Sequence, residues 1–207
     1  MNPKSLLLGL LPWIVFSLIV HRAGATVAGL AAVAAVVTAL ALMVKDGLRG
    51  IKIIDVTGVL VFGGFAVVAF AGGTDAATWV ADYGRGSAAA LLGVVMLASA
   101  AVLPFSEQYA RESVPQEYWH SPVFRAVNRK ISAVWGVVML AMAGSHLLAG
   151  YLDPAGSVAG GTINATGPAG LLLNWVVPAA LVFAGYKATQ ALTAGASNPA
   201  AAAAQRG

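Results

Sequence analysis

The sequence predicts an all-α, polytopic transmembrane bundle of six helices with both termini on the cytoplasmic side. Three observations carry that expectation. Hydrophobic residues make up 59% of the 207 and charged residues only 10%, with mean hydropathy +0.81; a soluble domain carries about 25% charged residues. The apolar residues fall in runs long enough to cross a hydrocarbon core of about 30 Å, which takes about 20 helical residues. The charges between those runs are sorted by sign. Of the 12 Lys and Arg, all but Arg22 and Arg85 lie in alternate gaps, and basic residues collect on the cytoplasmic side.

The first span runs from Leu6 to Val20 and stops at His21-Arg22. The second covers Thr26 to Val44 and stops at Lys45-Asp46. The third covers Ile53 to Ala71, the fourth Ser87 to Leu103 with Pro104 after it, the fifth Ile131 to Gly150, and the sixth Gly170 to Tyr186. Lys4 and the Ala23-Gly24-Ala25 triplet resemble a cleavable signal, but a second apolar run follows at once, so an uncleaved first span is expected. The gap between spans five and six is rich in Gly and Pro and has no basic residue, as an external loop would be. Its Asn164-Ala165-Thr166 sequon is read as chance. Residues 1–192 thus form the transmembrane domain, and the Ala-rich stretch 193–207 is expected to be a disordered tail. Ser197-Asn198-Pro199 should break any helix entering it.

Helices in lipid associate through small residues and interhelical polar contacts rather than through the hydrophobic effect. Span two (Ala28-Gly29-Leu30-Ala31-Ala32-Val33-Ala34-Ala35) is small throughout and suits a central position. Pro12 and Pro178 lie within spans one and six, where each removes a backbone donor and should kink its helix.

The longest charged gap, 105–130, reads as a cytoplasmic amphipathic segment. Ser113 with Gln116, and Ser121 with Pro122, carry helix-start chemistry. The second start should continue without a break into span five, with Arg125 and Arg129 one turn apart and Asn128 and Ser132 likewise. Tyr109, Tyr118, Trp119 and Phe124 would sit in the headgroup layer. Tyr118, Trp119, Arg125, Arg129 and Lys130 form the expected surface for anionic lipid or a membrane-protein partner. The basic net charge of +4 is assigned to the bilayer, not to nucleic acid.

The Leu10-Leu11-Pro12-Trp13-Ile14-Val15-Phe16 run, Glu112-Ser113-Val114-Pro115 with Trp119, Asn128, Ser132-Ala133-Val134-Trp135-Gly136 and Gly144 resemble the bacterial intracellular septation protein A family. The resemblance spans residues 6–150. It implies a small multi-pass protein of the bacterial inner (cytoplasmic) membrane, tied to envelope synthesis and cell division. The family is drawn with five spans where the runs here make six, and it supplies no catalytic residues.

The remaining polar residues offer few sites. His21 and His146 end up near one depth on the external side, where they could form an outer polar cluster with Arg22, Asp82, Arg85 and Asp153, and are the candidates for a haem or ligand. Asp55 and Asn174 are the candidate intramembrane polar site. The chain has no Cys and shows no catalytic triad spacing, phosphate loop or metal motif. The expectation is therefore a non-enzymatic envelope scaffold or accessory protein without a cofactor or metal. The alternatives are a small-molecule or ion transporter and a ligand-binding bundle.

Overall fold

The computed structural model describes residues 6, 8–23, 25–47, 50–152 and 168–197. Every regular element among them is helical. Among the described residues, five helices are long and apolar enough to cross a membrane, and a sixth apolar helix is shorter, Leu11–Val20. In chain order the helices are α1 (Leu11–Ala23), α2 (Ala25–Asp46), α3 (Ile53–Ala71), α4 (Gly73–Val102), α5 (Phe105–Ala110), α6 (Pro122–Leu152), α7 (Pro168–Leu171) and α8 (Val177–Ser197). A 3-10 turn at Gln116–Tyr118 separates α5 from α6, and a π-helical turn at Leu172–Val176 joins α7 to α8.

Helix α3 has the bounds the apolar run predicts. Helix α4 does not, since it begins at Gly73 rather than near Ser87. The expected external gap is itself helical. Gly72 and Gly73 alone reverse the chain, Gly73 at φ +74°, a backbone conformation that costs glycine nothing. After them, Val80 and Ala81 turn into the core while Thr74 and Asp75 stay exposed, so the polar residues of the gap mark one face of a helix and not a loop. Helix α6 starts at Pro122 as expected. The Ser121 hydroxyl accepts the Phe124 amide at 3.1 Å, which is N-cap geometry. The first expected cap is absent: the Ser113 hydroxyl turns back to the Ala110 carbonyl instead. Pro12 falls in the first turn of α1, where a missing N–H is tolerated. Helix α8 extends to Ser197, into the stretch expected as a tail. Residues 198–207, the gap 153–167 with its expected external loop, and the His21 side chain lie outside the described residues.

Helices α4 and α6 make the most extensive helix contact, and α2 packs on α1, α3 and α4. Small residues let α4 and α6 approach. A Cβ on Gly93 would stand 3.0 Å from the Gly136 carbonyl oxygen, and one on Gly86 2.6 Å from Leu147 Cγ. Helix α2 is less central than its composition suggests. Ala28, Ala31, Ala32, Ala35 and Ala39 are buried, but Leu30, Val37 and Leu40 face outward. Its alanines form one packing stripe, and its larger side chains cover the outside, as in a helix that has lipid on one face. The α1–α3 interface is aromatic. Trp13 and Phe16 lie 4.8 and 4.9 Å from Phe62, and Phe65 continues the stack toward Trp79. Helix α8 joins α6 through Trp135, whose indole donates to Thr189 Oγ1 at 3.1 Å.

Candidate functional site

Polar side chains concentrate in two places, one around Lys52 and one around Arg85. The Lys52 end is built by α5 folding under the bundle. Pro104 stops α4, and the Phe105 amide bonds the Ser99 hydroxyl at 3.2 Å. Ser106 is fully buried, and its hydroxyl is 2.9 Å from both the backbone oxygen and Oδ1 of Asn128. Ser132 donates to the same hydroxyl at 3.2 Å. The one-turn spacing of Asn128 and Ser132 therefore marks the buried face of α6, and Arg125 and Arg129 occupy the exposed one.

The same short helix caps α3. Gln108 Oε1 accepts the Ile53 amide at 2.9 Å, and Asp55 Oδ2 accepts the Lys52 amide at 3.1 Å. These acceptors satisfy two of the four N–H groups that a helix start leaves open. The Lys52 ammonium lies 3.2 Å from Asp46 and 3.1 Å from Glu112, over the Tyr109 ring at 5.2 Å. Burial works to lower the Lys52 pKa. The bonds to Glu112 and Asp46 outweigh it, so the net shift is upward. Tyr109 is fully buried. Burial first, then the charges of Asp55, Glu112 and Asp46, push its hydroxyl pKa up, so it stays neutral. Asp55 is thus a capping residue at the start of a helix, its carboxylate anchored by the Lys52 backbone while the Lys52 side chain pairs elsewhere.

From this buried base the rest of 105–130 projects outward. Arg111 pairs with buried Glu107 and lies 4.9 Å over Trp119, whose indole donates to the Val114 carbonyl at 2.9 Å. Trp119 is thereby half-buried and fixed. Tyr118, Val123, Arg125, Arg129 and Lys130 are exposed. Of the four aromatics expected at headgroup level, Tyr109 is in the protein interior instead.

At the second cluster Pro178 decides the chemistry. Its missing N–H and its ring exclude ordinary helical bonding to the carbonyl of residue 174, and the chain widens into the π turn, where the Val177 amide bonds Leu172 and so leaves the carbonyl of residue 173 open as well. Other helices use the released carbonyls. Ser145 donates to the Leu173 carbonyl at 2.7 Å, and Arg85 Nη2 to the Asn174 carbonyl at 3.3 Å. Arg85 Nη1 also donates to Asn174 Oδ1 at 3.1 Å, and His146 Nδ1 lies 3.2 Å from that oxygen. The Arg85 guanidinium stands 5.7 Å from the Trp175 ring centre. Asn174 and His146 do meet, across α4, α6 and the π turn. Arg85 joins His146 here, as the outer polar cluster expects, while Ser145 and Trp175 join without having been singled out as site residues; the signal available for them was Pro178, which had to leave acceptors for some neighbour to fill. Asp55 belongs to the other cluster, so the two members of the expected intramembrane pair are not together.

Among the described residues no group of three or more His, Cys, Asp or Glu is placed to hold a metal ion. No family model, curated protein or solved structure matches the chain.

Proposed function

We propose that the chain is a six-span protein of the bacterial inner membrane with both termini in the cytoplasm, of the septation protein A-like kind, and that it serves as a non-catalytic envelope scaffold. The observation that carries this reading is the folded platform at the Lys52 end. Its underside is locked by buried Ser106, Asn128 and Ser132, with half-buried Gln108 capping α3, and its outer side presents Tyr118, Val123, Arg125, Arg129 and Lys130. A plain connecting loop does not need a fully buried polar base; a surface kept ready for a membrane-bound partner or anionic lipid does.

The basic residues around this platform support a cytoplasmic side by the charge rule. Six spans then require α1 to cross. Helix α1, Leu11–Ala23, reaches about 20 Å, so the apolar residues before it would have to complete the hydrocarbon thickness. The transporter reading draws on the interrupted helix at the π turn. Against it, the carbonyls freed there are bonded by Arg85 and Ser145 of the same chain, which leaves the interruption serving the fold.

Site-specific photocrosslinking in living cells tests the scaffold. A photoreactive residue at position 118 or 125 should give a discrete adduct with a membrane protein of envelope synthesis or division, and one at lipid-facing position 37 should not. Adducts with lipid alone at all three positions would contradict it.

A further inference from the structure

Among the described residues, three buried donors at the Lys52 end have no protein partner, and besides Arg111 Nε two of them lie between α1 and α3. Trp13 Nε1 and the Tyr109 hydroxyl make no hydrogen bond, and their residues are 8% and 0% exposed. Buried donors are nearly always satisfied by protein or by ordered water. Each lies at a glycine, Gly58 of α3 for one and Gly9, just before α1, for the other. The indole nitrogen lies 3.7 Å from where a Gly58 Cβ would stand, and the Tyr109 hydroxyl packs against Gly9. Gly9 and Trp13 are one turn apart on the chain, and Asp55 and Gly58 share a face of α3. The Asp55 carboxylate is 4% exposed and lies within electrostatic reach of Tyr109. Only its Oδ2 is engaged by the Lys52 amide.

We propose that Trp13, Tyr109 and Asp55 form an internal hydration site, which takes one water molecule or a short chain of them and links α1 to α3. The chemistry selects the ligand class. Two donors ask for an acceptor, and a carboxylate asks for a donor and repels an anion. The Lys52 ammonium over the Tyr109 ring repels a cation. A small neutral group that both donates and accepts meets all of these demands, and water makes about three such bonds in buried sites. The short, aromatic helix α1 would then be pinned at its Lys52 end by solvent as well as by ring packing.

The test uses the full chain in lipid nanodiscs with 15N-labelled indoles, the Trp13 signal being assigned by its loss in Trp13→Phe. Magnetisation should pass from water to the Trp13 Nε1 proton, and the transfer should weaken in Tyr109→Phe. That variant should also lower the folding equilibrium constant about fivefold, the worth of one net hydrogen bond. Absence of transfer in the parent chain overturns the site. So does a Tyr109→Phe protein as stable as the parent or more so, since removing a dry donor relieves a penalty. Should Tyr109→Phe fail to fold, the transfer measurement on the parent decides alone.

Discussion

Replacing Gly86 by Ala should destabilise the bundle, and replacing Gly63 by Ala should not. Both glycines sit in helix interiors. A Cβ at 86 meets Leu147 Cγ at 2.6 Å and the Leu147 backbone nitrogen at 2.9 Å, whereas nothing lies within 4 Å of a Cβ at 63. Each substitution gains about 1 kcal/mol of helix propensity, so that gain cancels in the comparison. The difference is the overpacking cost, about 1–3 kcal/mol. It cannot be relieved by a rotamer change, because one clashing atom is backbone. The unfolding equilibria of the two variants should differ by about 5- to 150-fold. Titration with a denaturing detergent from a mild one, followed by tryptophan fluorescence, reads this directly. Equal stabilities would mean that α4 and α6 do not approach as closely as described.

Three other outcomes follow from the same contacts. Asn174→Ala removes the side-chain oxygen shared by Arg85 and His146 and should cost about 1–3 kcal/mol in the same titration; an unchanged midpoint would show that the π turn is held without it. Ser106→Ala strips a partner from both Asn128 and Ser132 and should cost a similar amount, with faster amide exchange in 105–110 as its signature. Lys52→Met breaks the links to Asp46 and Glu112, whose side chains are 39% and 34% exposed. Solvent screening therefore limits the loss to about 1 kcal/mol, and faster proteolysis within 111–121 is the sensitive readout. Because the Lys52 pKa is raised above its ordinary 10.5, the folded state holds this proton more tightly than the unfolded chain does. Its contribution is complete below pH 10.5 and fades only as pH climbs through the raised value, so proteolysis of the parent chain should not change through neutral and mildly basic pH.

The parts of the fold set by apolar runs were the most legible. Helix α3 begins and ends where its run does, and the Ser121 cap and the continuous α6 follow from local chemistry. What escaped was set by tertiary context. Residues 74–86 fell in a gap between spans because their polar side chains interrupt the apolar run, yet one face of them packs on the core and Gly72-Gly73 suffices as the turn. Tyr109 looked like an interfacial anchor because of its neighbours, but α5 turns it inward. Asp55 and Asn174 stand at the inner start of span three and the outer start of span six, so the topology already set them apart; what it did not show was the partners that α5 and the π turn give each. The pairing of Asn128 with Ser132 was visible as spacing, but which of the two faces of α6 was buried was not. That choice depends on Ser106, which comes from another helix.

Sidedness of the platform is the claim on which the functional account stands, and the chain's lack of cysteine makes it simple to measure. Single cysteines at Tyr118 and at Thr74 would be labelled in intact cells with a membrane-impermeant maleimide. The account predicts reaction at 74 from outside and at 118 only after the membrane is opened. Labelling at 118 in intact cells, with 74 protected, would contradict it.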